Sequence, residues 1–154
     1  MKVRCRTNRA ADLTTPWLIG LGDGSYELTP GREYVVYALQ WSAEGVPGYI
    51  LCHDGYGYYP LHYPAELFEV TDPRSSQYWV VTFRPARTLG SSGHVVLPEV
   101  VVGFPEWSAD WGFHYWVTEG REPELSTWQR YKRLIDEESG ITEDAVRREH
   151  ECRD

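Results

Sequence analysis

The sequence is poor in cysteine and has no long hydrophobic run. It contains three cysteines, an odd number, and no Cys-x-x-Cys pair. A disulfide framework is therefore not expected, and a reducing cytoplasm suits the chain. No stretch approaches the roughly 18 apolar residues of a membrane-spanning helix. The basic start at residues 1–13 has no apolar segment behind it, unlike a signal peptide. We expect a cytoplasmic protein that does not bind membranes.

Basic residues are outnumbered by acidic ones. The chain has 15 lysines and arginines against 23 aspartates and glutamates, which gives a net charge of −8 at pH 7. Such a surface repels nucleic-acid phosphates and anionic lipid headgroups, so neither is an expected partner. A basic protein is the partner that this charge favours, because opposite charges speed the encounter of two proteins. An ordinary acidic surface explains the same count, and homo-oligomers are not excluded.

Motifs of catalysis and cofactor binding are absent or incomplete. Gly20-x-Gly22 resembles the start of a dinucleotide-binding loop, but Ser25 stands where the third glycine belongs and no helix is predicted after it. Residues 90–94, GSSGH, have His94 where a serine-nucleophile elbow requires glycine. The sequence also has no Walker motif and no His-Glu-x-x-His. We therefore predict no cofactor.

A metal or thiol–imidazole site would have to use Cys52, His53 and His62. Adjacent side chains on a strand point to opposite faces, so Cys52 is expected in the core and His53 toward solvent. Two histidines without further cysteine or carboxylate ligands make a poor zinc site. We predict no metal site. An enzyme with His53, His62 or His94 as its base is the least favoured hypothesis.

Runs of β-branched and aromatic residues predict strands in the first two thirds of the chain. The predicted strands comprise residues 2–7, 33–42, 48–54, 77–83 and 95–104. Residues 33–42 are apolar on both faces, so both faces are expected to be covered.

The last third of the chain changes to helical spacing. Pro123 and the acidic residues beside it mark the start of a helix over residues 121–140, and Gly140 marks its end. Its apolar stripe consists of Leu125, Trp128, Tyr131, Leu134 and Ile135. The spacing of aromatic residues within 104–116 favours a further short helix, although Gly112 weakens it.

Strands followed by helices predict an α+β protein, a small antiparallel β-barrel with one or two C-terminal helices packed on it. One globular domain is predicted over residues 1–138, mostly β over 1–104 and helical over 105–138. Residues 139–154 are too polar to pack firmly, so they are predicted to form a polar tail or a short helix.

Two phrases of the sequence resemble known proteins. Residues 28–36, LTPGREYVV, resemble the phrase that opens a strand in SH3-like small barrels. The matching positions are Leu28, Gly31, Tyr34 and Val36. Residues 63–72, YPAELFEVTD, are similar to a family of small bacterial proteins, with Thr71 where that family has valine. The likeness extends over roughly residues 1–135 and implies an SH3-like barrel. No activity is established for that family, so it implies no catalytic residue.

Aromatic residues are the abundant component, with seven Trp, eleven Tyr and four Phe. They are densest over residues 58–72, which either turn a corner of the barrel or form a binding surface. Large rings with a polar edge are favoured at interfaces, although small barrels also fill their interior with such rings. The candidate binding residues are Tyr56, Tyr58, Tyr59, His62, Tyr63, Glu66, Trp107 and Trp111.

Two functions are favoured over an enzyme. The first is a non-catalytic interaction protein that binds a basic protein, with a toxin-immunity or inhibitor role as its sharpest form. The second is an SH3-like module that binds a small ligand or a peptide in an aromatic groove. The sequence ranks them in that order because it is acidic, rich in Tyr and Trp, and without a catalytic constellation.

Overall fold

The computed structural model describes residues 1–14, 24–42, 47–55, 57–89 and 94–141. Its strands are β1 (Lys2–Cys5), β2 (Glu33–Val35), β3 (Ala38–Ser42), β4 (Pro47–Cys52), β5 (Pro60–Pro64), β6 (Phe68–Asp72), β7 (Val80–Arg84), β8 (Arg87–Leu89), β9 (His94–Val96) and β10 (Glu99–Gly103). Its α-helices are α1 (Pro105–Ala109), α2 (Phe113–Thr118) and α3 (Glu124–Glu138). Single 3₁₀ turns lie at Ala10–Asp12 and Ala65–Leu67.

The α+β class predicted from the sequence is confirmed. The strands form two antiparallel sheets, a small one ordered β2-β1-β6 and a large one ordered β5-β4-β3-β10-β7. Strands β8 and β9 make a separate hairpin. A closed barrel is not found among the described strands, because the large sheet packs one face against the helices instead of closing on itself. The helices lie mostly at the C-terminal end, as predicted.

The segment predicted as one strand over residues 33–42 is divided between the two sheets. Strand β2 pairs with β1 in the small sheet, and β3 pairs with β4 and β10 in the large one. Side chains alternate over residues 34–37, so Tyr34 and Val36 enter one core while Val35 and Tyr37 enter the other. The alternation is interrupted between β2 and β3, because Tyr37 and Ala38 both enter the helical core. The prediction that both faces are covered is confirmed for these positions.

Two hydrophobic cores flank the large sheet. One lies between the sheet and the helices, and its buried members include Ile50, Val101, Phe104, Trp107, Trp128 and Ile135. The other lies between the opposite face of the sheet and the small sheet, and its buried members include Val3, Leu51, Tyr63, Leu67 and Phe68. Trp79 packs against both cores.

The C-terminal helical region follows the predicted pattern. Helix α3 buries Trp128 and Ile135, and Gly140 takes a positive φ of 78° just beyond its end. The amide of Ile141 donates to the carbonyl of Asp136 across this turn, as expected for a glycine that ends a helix. The segment over 104–116 forms two short helices, α1 and α2, instead of one.

Some sequence predictions lie outside the described residues. These are Tyr56, residues 90–93, most of the glycine loop at 20–25 and residues 142–154 of the predicted tail. Within the part of the chain that the structure describes, no helix is both long and apolar enough to cross a membrane.

Candidate functional site

A cleft of about 290 Å³ lies between the large sheet and the α1–α2 segment. Its floor takes one side chain from each of the five strands, because these positions alternate onto the face that looks toward the helices. In sheet order the floor residues are His62, Ile50, Gln40, Glu99 and Arg84. The roof residues are Trp107, Asp110, Trp111 and His114. This volume lies just below the roughly 300–1,000 Å³ of ligand pockets, so the cleft has room only for a small molecule.

A buried ion pair forms one end of the floor. Arg84 Nη1 lies 2.8 Å from Glu99 Oε1, and the two side chains are 7% and 6% exposed. The side-chain amide of Gln40 donates to the other oxygen of Glu99. Both carboxylate oxygens of Glu99 therefore have a donor within the sheet, which holds the carboxylate in one orientation.

Arg84 also binds the C-terminal end of helix α1. Its Nε donates to the carbonyl of Ser108 at 2.9 Å, and Nη2 donates to the carbonyls of Trp107 and Asp110. These carbonyls belong to the last turn of the helix, whose backbone acceptors are otherwise left open. The guanidinium thus fixes the roof of the cleft to its floor.

The other end of the floor depends on a glycine. A Cβ built on Gly48 would lie 1.8 Å from His62 Nε2, so the imidazole occupies the space that a side chain at position 48 would fill. Burial, together with the proximity of His114, lowers the pKa of His62 to about 4. The imidazole is therefore neutral at pH 7 and can both donate and accept a hydrogen bond.

His114 lies in the roof above this end. Its Nε2 is 2.9 Å from the carbonyl oxygen of Pro60, and this nitrogen carries the proton because a carbonyl can only accept. Burial lowers the pKa of His114 below its ordinary value. In the neutral ring, Nδ1 is then a hydrogen-bond acceptor.

Trp111 forms the outer part of the roof and is partly exposed. The guanidinium of Arg87 lies 4.4 Å from the centre of its ring, and that of Arg84 lies 5.2 Å from it. A cation within about 6 Å of an indole face is attracted to the ring, so the two arginines hold the Trp111 ring in place.

Three of the predicted binding residues line the cleft, namely His62, Trp107 and Trp111. Trp107 is only 3% exposed and also belongs to the helical core. Tyr63 is 4% exposed and packs edge-on against Tyr26 and Phe68 in the other core. The burial of Tyr63 and Trp107 removes both from a surface that could dock a protein.

The other described candidates, Tyr58, Tyr59 and Glu66, are not among the residues that line the cleft. Tyr58 is 66% exposed, and its carbonyl accepts a hydrogen bond from the indole of Trp128. Tyr59 is half-buried. Glu66 accepts hydrogen bonds from the amide and the hydroxyl of Thr14, at 2.9 and 2.6 Å, which ties the turn before β6 to the N-terminal segment.

The histidine and cysteine candidates are not brought together. His53 is 5% exposed, so the prediction that it faces solvent is wrong; its Nδ1 lies 3.0 Å from a carboxylate oxygen of Glu27 and 3.1 Å from the amide nitrogen of Gly55. Burial raises the pKa of the Cys52 thiol to about 12, as expected for a thiol packed against the core. The described residues contain no cluster of three or more His, Cys, Asp or Glu side chains suited to a metal ion.

Six cleft residues were not predicted from the sequence, namely Ile50 and the polar residues Gln40, Arg84, Glu99, Asp110 and His114. For two of them, Arg84 and Glu99, the sequence does contain an indication of a special role. Arg84 and Glu99 occupy the inward-facing side of otherwise apolar strands, where a charged residue is rare unless it is paired. The pairing itself depends on β10 lying beside β7, which local sequence does not reveal.

Comparison with known proteins finds no matching family model, no matching curated protein and no matching solved structure.

Proposed function

We propose that this protein binds a small molecule in the cleft between its large sheet and the α1–α2 segment. One observation supports the proposal most. Polar side chains from four of the five strands, among them His62, lie around one cavity together with two indoles and His114. The lining is more polar than that of a usual ligand pocket, with six polar or charged side chains beside Ile50 and the two indoles, so it favours a small polar molecule. The SH3-like relationship implied by residues 28–36 stays a prediction, and the proposal does not depend on it.

The cleft is preorganised for binding. Arg84 and Glu99 are held by each other, by Gln40 and by the end of α1, so neither side chain needs to be ordered when a ligand enters. The described lining contains no serine, threonine or cysteine nucleophile. With a pKa near 4, His62 is a weak base at neutral pH. These features support a binding role over a catalytic one.

The experiment is a fragment screen by ligand-observed NMR on the wild type, Trp111→Ala and Tyr115→Ala. Tyr115 is the matched control, because it is an exposed aromatic residue near the same segment but outside the cleft. We expect fragments that bind the wild type and Tyr115→Ala but are weakened by Trp111→Ala. Circular dichroism checks that both variants fold. A screen without hits, or hits unaffected by Trp111→Ala, would reject the proposal.

A second candidate function is protein binding, as predicted from the sequence. It would use a surface other than the cleft. Two cross-strand rows on β7, β10 and β3 lie on the face of the large sheet that looks away from the helices. We call them the open sheet face; its members are Val81, Val102 and Leu39 in one row and Phe83, Val100 and Trp41 in the other. Val81 is 74%, Phe83 66% and Trp41 42% exposed, whereas Leu39 packs against the small-sheet core; none of the six is charged. Contiguous exposed apolar residues favour a protein partner.

The net charge of −8 favours a basic partner for this face, as an inhibitor or immunity protein would require. We expect one basic protein to be retained by the wild type and by Val70→Asp, and to be lost from Phe83→Asp. Val70 is the control because it is an exposed valine on β6 of the small sheet. Capture is quantified at low and high salt with the purified partner. Equal retention by Phe83→Asp would rule out this face.

A further inference from the structure

The charges in the floor of the cleft are compensated within the protein. Arg84 Nη1 lies 2.8 Å from Glu99 Oε1, and both side chains are buried. The guanidinium also donates to backbone carbonyls at the end of α1. Both charges of the floor are thus already paired, and an ionic ligand would have to compete with that pair.

The charges at the outer edge of the cleft are balanced as well. The guanidinium of Arg87 lies 4.4 Å from the centre of the Trp111 ring. Asp110 is exposed, and its charge acts on Arg121, whose pKa is raised first by the hydrogen bond to Glu124 and then by Asp110. Two guanidinium groups and two carboxylates lie along this edge, and their charges sum to zero.

The groups left for hydrogen bonding are neutral. The side-chain amide of Gln40 donates to Glu99, which turns the amide oxygen Oε1 away from that carboxylate. His114 Nδ1 is an acceptor, because Nε2 donates to Pro60. Neither acceptor has a donor among the described residues. Burial lowers the pKa of both His62 and His114, so both rings are uncharged at pH 7.

We infer that the cleft takes a small neutral molecule with N–H or O–H donors, such as an amide or a urea, and discriminates against small ions of either sign. The inference rests on the proposed function, because it names the ligand class of the same cleft. An ion that enters loses hydration and finds no unpaired counter-charge. An amide instead replaces its hydrogen bonds to water with bonds to Gln40 and His114, and its apolar part packs on Ile50.

The test uses four probes of nearly equal shape: benzamide, its analogue acetophenone without N–H groups, the cation benzamidine and the anion benzoate. Affinities are measured by ligand-observed NMR titration at pH 7.5 and constant ionic strength. We expect benzamide to bind about tenfold more tightly than each of the others, because each alternative leaves a polar or charged group unpaired. Acetophenone tests the donors, and the two ions test the charge balance. Equal or tighter binding of any of these three would overturn the inference.

Two variants test whether the charge balance causes the selectivity. Arg87→Gln leaves the edge negative and should reduce the preference for benzamide over benzamidine by about two- to fivefold, the usual size of an exposed charge interaction. Asp110→Asn should reduce the preference over benzoate to a similar extent. Arg133→Gln and Glu119→Gln are the matched controls, because they change the net charge equally at exposed positions outside the lining. Preferences that shift equally in the controls, or in none of the variants, would overturn the inference.

The remaining outcomes separate this inference from the proposed function. If an ion binds most tightly and Trp111→Ala weakens it, the cleft binds ligands but the inferred class is wrong. If none of the four probes binds, the inference is wrong, and the fragment screen decides the proposed function independently.

Discussion

At the scale of single residues, the position of His62 depends on the absence of a side chain on the neighbouring strand. Gly48 lies beside Gln40 on the floor, and its missing Cβ gives the imidazole its space. The space is enclosed, so charging the ring there is unfavourable and the pKa of His62 falls to about 4. One glycine thus sets both the location and the protonation state of a cleft residue.

The low pKa of His62 predicts a specific dependence of stability on pH. The unfolded state binds a proton on this histidine below its ordinary pKa of 6.5, whereas the folded state resists it down to about pH 4. Stability is therefore full above pH 6.5 and falls between 6.5 and 4. From pH 7 to 4 the wild type should lose on the order of 3 kcal/mol more unfolding free energy than His62→Gln. Urea titrations at several pH values measure this, and parallel curves would contradict it.

Replacing the glycine tests the steric half of the same argument. Gly48→Ala should displace the imidazole and reduce the free energy of unfolding by about 1–3 kcal/mol, the usual cost of overpacking. Most of the loss should vanish when His62→Ala is the background, because the clash is then gone. Gly57→Ala is the control, since a Cβ there meets no atom within 4 Å. If Gly48→Ala still reduces the free energy of unfolding in the His62→Ala background, the clash is not with the imidazole.

At the scale of elements, Arg84 joins a strand, its neighbour and a helix. The end of β7 is bound to the start of β10 through Glu99, and to the last turn of α1 through backbone carbonyls. Helix α1 has five residues, too few to be stable alone, so its position depends on such contacts. The guanidinium therefore fixes the roof of the cleft together with the packing of Trp107 in the helical core.

Arg84→Met should lower the free energy of unfolding by about 3–5 kcal/mol, because Glu99 would remain buried without its partner. The double variant Arg84→Met/Glu99→Gln should recover part of the loss by removing the orphaned charge. Arg74→Ala serves as the exposed control, since the Arg74 side chain is 81% exposed in its pair with Asp72, and we expect no change in its melting temperature. Thermal and urea unfolding provide the comparison. A small effect for Arg84→Met would mean that the pair is not buried as described.

Local patterns in the sequence predicted several elements well. The predicted strands overlap β1, β4, β7 and β10, and the predicted long helix contains α3. The sequence leaves residues 58–72 open between a corner and a binding surface, and the structure has a turn within them, at Ala65–Leu67 between β5 and β6. Periodicity identifies strands but not their neighbours. The insertion of β10 between β3 and β7, which creates the Arg84–Glu99 pair, depends on long-range packing.

Because local patterns do not reveal how strands are arranged, only some of the predicted binding residues line the cleft. His62, Trp107 and Trp111 were selected as aromatic or titratable residues and do line the cleft. Tyr63 was selected on the same grounds but faces the opposite side of β5, because consecutive residues of a strand alternate. The sequence does not show where β5 begins and ends. The residues of β5 that face the cleft could therefore not be told from those that face the other core.

At the scale of the whole molecule, two cores share one sheet. The strands of the large sheet contribute side chains to the helical core from one face and to the small-sheet core from the other. Trp79 packs against both, and its indole donates to the carbonyl of Tyr37 at 2.8 Å. If one core unfolds, one face of the large sheet becomes exposed to solvent. The same sheet supports the other core on its opposite face.

Unfolding should therefore be a single transition. Ile135→Ala removes a fully buried side chain from the helical core, and Leu67→Ala removes one from the small-sheet core. Each should cost about 2–5 kcal/mol. In each variant, tryptophan fluorescence and far-ultraviolet circular dichroism should give the same midpoint. Two separated transitions in either variant would show that the cores are independent.

The division of residues 33–42 between the sheets has a further consequence, for evolution. An extra residue within β3 before Gln40 would reverse the facing of the residues after it, turning Gln40 out of the cleft and Trp41 into it. It would do so while β2 stayed paired with β1. Substitutions can accumulate in this segment, but insertions and deletions cannot. Distant relatives should therefore keep a constant spacing from Tyr34 to Trp41 even where neither residue is retained.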